Sequence, residues 1–132
     1  MQAAIYFQIL NDTAYTYEKP LVNALKQQFP ALVTFDFDTQ SDRTMVGYAM
    51  DLLEKSEKAI IIIEATDGPA NGVIMFMEKI AMNKNKCMVL LVGQHPFVQK
   101  MLTPLEANQV IQAEQDGAYM QKVIQFLSAE PL

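Results

Sequence analysis

Hydrophobic and polar positions alternate along the chain on two length scales, short unbroken apolar runs and longer segments apolar at every third or fourth residue. Residues 3–10 read as a first strand, closed by Asn11-Asp12-Thr13, which turns the chain and caps a helix over 14–29 with Leu21, Val22, Leu25 and Phe29 on one face. Pro30 stops that helix, and 31–37 reads as a second strand. Ser41-Asp42 starts a second helix carrying Met45, Val46, Ala49, Leu52 and Leu53 at helical spacing. The runs 59–63 and 87–92 lack polar alternation, the mark of central parallel strands covered on both faces. Between them lie the loop Asp67-Gly68-Pro69 and a third helix over 70–82. A short helix over 97–102, a brief strand at Val110-Ile111 and a last helix over 115–127 complete the chain. Five strands alternating with five helices predict an α/β fold: a three-layer sandwich around a mostly parallel, doubly wound sheet of flavodoxin-like or nucleoside deoxyribosyltransferase-like topology.

Length and composition narrow the class. A chain of 132 residues, 51% hydrophobic and 19% charged, predicts one domain over residues 1–132 with a core large enough to need no staple. The single Cys87 cannot form an internal bridge and suits a reducing cytoplasm. Fifteen acidic against ten basic side chains give a net charge of -5, an unfavourable balance for binding nucleic acid. No apolar run reaches the roughly twenty residues of a membrane span, and no positive charge precedes the first apolar stretch as in a secretory signal.

In doubly wound sheets, ligands bind outside the carboxyl ends of the strands. That rule selects Asn11 and Asp12, Asp36 and Asp38, the segment from Glu64 to Asn71, and Gln94 with His95. No Gly-x-Gly-x-x-Gly or Walker lysine occupies these loops, so neither a dinucleotide nor another cofactor is expected, and no metal cluster is expected around the lone His95. Asp36-Phe37-Asp38-Thr39 looks like a phosphatase nucleophile motif but sits on the wrong strand with its threonine one residue early.

The third helix is the most informative segment. At about 100° per residue, Val73, Phe76, Met77, Ile80 and Ala81 form the stripe that faces the sheet. Ile74, Met75 and Met82 form a second apolar stripe, with Glu78 inside it. A helix apolar nearly all round predicts a second covered face, hence a homodimer or larger assembly through Ile74, Met75 and Met82.

Asp51-Leu52-Leu53, the strand 60–63, Asp67-Gly68, Asn71-Gly72, Glu78 and the strand 88–92 together resemble nucleoside 2-deoxyribosyltransferases and the related Toll/interleukin-receptor-like domains. The resemblance implies a glutamate nucleophile that attacks the anomeric carbon of a nucleoside, for which Glu78 is the candidate, with Asp51 as the helix aspartate. Asn11, Asp12, Asp67, Asn71 and His95 are the candidate ligand-binding residues around a nucleoside-like small molecule. The chain departs from the family pattern in three ways: Asn71 replaces the loop aspartate, the Gly-Thr-Ala step is absent, and ungapped counting from Asp51 places Met77 at the nucleophile position. Two functions stand open: a non-catalytic homo-oligomeric binding or scaffold domain, and an N-glycosidic bond enzyme using Glu78.

Overall fold

A computed structural model of the chain describes residues 1–9, 20–39, 42–65, 68–113 and 117–129. Five strands, β1 (Gln2–Gln8), β2 (Val33–Asp38), β3 (Lys58–Glu64), β4 (Cys87–Val92) and β5 (Val110–Gln112), alternate with five helices. The helices are α1 (Pro20–Gln28), α2 (Arg43–Lys55), α3 (Ile74–Met82), α4 (Pro96–Met101) and α5 (Tyr119–Ser128). All neighbouring strands pair in parallel, in the order β2-β1-β3-β4-β5, with helices on both faces. This is the expected three-layer sandwich, and its order reverses between β1 and β3.

Strand alternation divides the interior into two cores. Ile5, Phe7, Ile61, Ile63, Val89 and Leu91 point toward α2, α3 and α4. Tyr6, Ile60, Ile62, Leu90 and Ile111 point toward α1 and α5. Because β1, β3 and β4 are covered on both faces, their apolar runs need no polar alternation. In the first core Phe7, Phe37 and Phe76 form a ring cluster with centroids 5.1–5.6 Å apart, joining β1, β2 and α3.

Element ends shift from the sequence expectation for local reasons. β2 starts at Val33 rather than 31 because Leu32 N–H turns back to Phe29 O. Asp42 caps α2 as expected, accepting from Met45 N–H at 3.0 Å. The expected helix over 70–82 begins as a 3-10 turn, Asn71–Val73, and becomes α-helical only from Ile74. Leu10, residues 14–19 of the first expected helix and residues 115–116 of the last lie outside the described residues. Among the described residues no helix is long and apolar enough to cross a membrane.

Candidate functional site

At the described carboxyl edge the parallel ladders run on past the strands. Ile9 N–H donates to Glu64 O, Thr39 N–H to Gln8 O and Ala65 N–H to Val92 O, so each strand is tied to its neighbour one residue past its end. Tyr6 Oη donates to the Glu64 carboxylate, placing that acid's partner inside the sheet rather than in a cleft. Two glycines permit closer approaches than a side chain would allow. A Cβ on Gly72 would stand 2.4 Å from Thr39 O, and one on Gly93, whose φ is +80°, would stand 2.3 Å from Ala65 O.

The predicted site residues separate into two groups. His95 lies at this edge: its Nε2 sits 2.8 Å from Gly68 O, spanning the loops that follow β3 and β4. A carbonyl only accepts, so Nε2 carries the proton. Its Nδ1 is buried without a partner. Asn71 is exposed in the 3-10 turn before α3. Asn11, Asp12 and Asp67 lie outside the described residues.

Asp51 and Glu78 lie elsewhere, both exposed on helices of the same layer. Lys79 Nζ meets Glu54 Oε2 at 2.9 Å, joining α2 to α3, and this ammonium holds the Glu54 carboxyl below its ordinary range. Lys86 adds bonds to the carbonyls of Glu54 at 3.0 Å and Ser56 at 2.9 Å, fixing the end of α2 to the turn after α3. From these anchors, Asp51 lies three residues and Met75 four residues toward the helix starts, about 5 and 6 Å at 1.5 Å per residue. Glu78 lies between Met75 and Met82 at helical spacing on the outward side of α3, and these methionines are 62% and 77% exposed. Met77, which ungapped spacing puts at the nucleophile position, is fully buried against the sheet.

Other candidates have structural surroundings. Asp36 and Asp38 belong to the edge strand β2 itself rather than to a loop beyond it. Cys87 is buried, and burial pushes its thiol up to about 12. Among the described residues no three metal-ligating side chains come together.

Two concave surfaces lie where sequence reasoning did not place them, along β5. One, about 830 Å³, runs between β5 and α5 past Met88, Asn108, Gln109, Ile111, Lys122 and Phe126. The other, about 310 Å³, lies on the α4 side and is lined by Leu91, Leu102, Leu105, Glu106 and Val110. Both volumes fall in the roughly 300–1,000 Å³ range of ligand sites. The available signal was the segment Asn108-Gln109-Val110-Ile111-Gln112, a short strand bracketed by amides. Comparison with known proteins gave no match to any family model, curated protein or solved structure.

Proposed function

We propose that this chain is a non-catalytic binding or scaffold domain of deoxyribosyltransferase-like shape that assembles with copies of itself through the outer face of α3. The supporting observation is the exposure of Met75 and Met82, about two turns apart on a helix whose opposite side is fully buried. Half-buried Ile74 extends this stripe. Burying a methionine fully is worth roughly 1.5–3 kcal/mol. Scaled by exposures of 62% and 77%, a twofold pair would gain roughly 4–8 kcal/mol before the costs of association. Methionine also adapts to a self-complementary seam because its side chain is unbranched and polarizable. A cytoplasmic location belongs to this reading, since the lone Cys87 is buried and needs no oxidising compartment.

The second reading, an N-glycosidic bond enzyme acting on a nucleoside through Glu78 and Asp51, draws on the exposure of both carboxylates on neighbouring helices of one layer. It requires a second subunit to close over them, because within one chain they face outward.

Sedimentation equilibrium separates the readings. The wild type is expected to form dimers, and Met75→Lys combined with Met82→Lys to give folded monomers with an unchanged melting temperature. A wild type that stays monomeric at its highest soluble concentration would remove the scaffold reading. A Glu78→Gln protein that stays dimeric but loses release of base from deoxynucleosides would establish the enzyme instead.

A further inference from the structure

We propose that Met75 and Met82 are a pair of modification sites whose oxidation by peroxide to sulfoxides releases the α3 seam, so that association of this chain follows redox state. Such release presupposes the self-association through α3 proposed above and supplies its regulation. Among the described residues these two are the most exposed of the large apolar side chains. Seven residues apart on α3, they differ by about 20° around the helix axis and stand about 10 Å apart along it, so both issue from one face.

The other sulfurs are shielded or lie outside α3. Met77, on the sheet-facing stripe of the same helix, is fully buried, and Met88 is buried in β4. Met50, Met101 and Met120 are partly buried against the two cores. Met1 and Met45 are less exposed than the α3 pair and belong to the chain start and the first turn of α2. Cys87 does not compete for the oxidant: peroxide takes the thiolate, and burial pushes this thiol up to about 12.

The step is an oxygen transfer. A lone pair on the thioether sulfur attacks one peroxide oxygen, the O–O bond breaks, an S–O bond forms and the second oxygen leaves as water, so sulfur gives up the two electrons that peroxide takes. A dithiol-dependent sulfoxide reductase reverses it, the oxygen leaving as water and the dithiol closing to a disulfide. The sulfoxide keeps the shape of methionine but carries a strong acceptor. In a seam of Ile74, Met75 and Met82 from two copies, that oxygen loses its water without gaining a donor from these side chains. A twofold seam would bury four such groups, and association should weaken at least about a hundredfold. Pairing covers the same sulfurs, so the monomer is the form that peroxide reaches and the dimer is protected.

Hydrogen peroxide treatment of the full chain, followed by peptide mass mapping and sedimentation equilibrium, tests the proposal. Met75 and Met82 are expected to gain one oxygen each before Met77 and Met88, more slowly as protein concentration rises, and the product to be monomeric where the untreated chain is dimeric. Sulfoxide reductases of both stereochemical specificities, with dithiothreitol, should restore the dimer. Met75→Leu combined with Met82→Leu keeps the face apolar without an oxidisable sulfur and should stay dimeric in peroxide. Oxidation of Met77 as fast as Met75, an oxidised dimer of unchanged Kd, a leucine variant that peroxide dissociates, or failure of the reductases to restore the dimer would overturn the proposal and leave self-association standing. A wild type that is monomeric before treatment would remove both.

Discussion

Replacing Gly93 by alanine should destabilise the fold far more than its single methyl group suggests, while the same change at Gly47 should not. Gly93 turns the chain out of β4 with φ at +80°, a conformation that costs an L-residue with a side chain roughly 1–2 kcal/mol. The added Cβ would also stand 2.3 Å from Ala65 O, a backbone atom. That carbonyl has little freedom to retreat, because Ala65 N–H is bonded to Val92 O at 2.8 Å and closes the β3–β4 ladder. Relieving the clash means shifting one of the two loops that His95 joins, so the total cost should reach about 3 kcal/mol, within the range of strained-backbone substitutions. Against an expected stability of about 5–15 kcal/mol this is a large fraction, and it corresponds to a fall in Tm of roughly 10 °C. Gly47 lies inside α2 with nothing within 4 Å of its built Cβ. Alanine there should stabilise by about 0.5–1 kcal/mol through helix propensity. Urea unfolding followed by circular dichroism, analysed with a common slope, measures both. A Gly93→Ala protein within about 0.5 kcal/mol of wild type, the usual spread for neutral surface changes, would refute the packing argument.

Three further outcomes follow from the core and the helix layer. Phe76→Ala should cost about 3–5 kcal/mol, since it empties the centre of the Phe7–Phe37–Phe76 cluster, and combined with Phe37→Leu the losses should not add, as urea midpoints of the double-mutant cycle will show. Burial raises the Cys87 thiol from 9.0 to about 12, so its contribution is fully present below pH 9 and is lost as pH rises toward 12, at up to about 1.4 kcal/mol per pH unit. The difference in stability between wild type and Cys87→Ala across pH 8 to 11 isolates that slope from other titrations. Glu54→Gln should leave the urea midpoint within experimental error, because the Glu54–Lys79 pair is exposed on the Glu54 side and open to screening.

The central strands were legible because their signal is strong and local. A run such as Ile60-Ile61-Ile62-Ile63 permits only an environment apolar on both sides, and the helices between such runs imply parallel crossovers. The sheet-facing stripe of α3 was equally readable: Val73, Phe76, Met77 and Ile80 are all fully buried. The site was less legible because a motif gives order along the chain but not direction in space. Glu78 follows Met77 by one residue, about 100° of helix, and that rotation carries it from the core to the outer surface beside Met75 and Met82. His95 was recognisable as a residue at a strand end, but its use as a clasp on Gly68 depends on two loops 27 residues apart. The β5 grooves had only the amide-flanked segment Asn108-Gln109-Val110-Ile111-Gln112 to announce them, a strand half the length of β4.

The crevice rule for doubly wound sheets points to the loops that follow β1 and β3, where strand order reverses, and of these residues 10–19, 66 and 67 lie outside the described residues. The described loops on the β2, β3 and β4 side approach one another closely. Gly72 packs onto Thr39 O at the end of β2, Gly93 packs onto Ala65 O at the end of β3, and His95 binds Gly68 across the intervening space. The first two contacts use glycine, which permits close approach, and the third is a side-chain hydrogen bond. Among the described residues, concavity is found where the sheet runs out, along the three-residue strand β5.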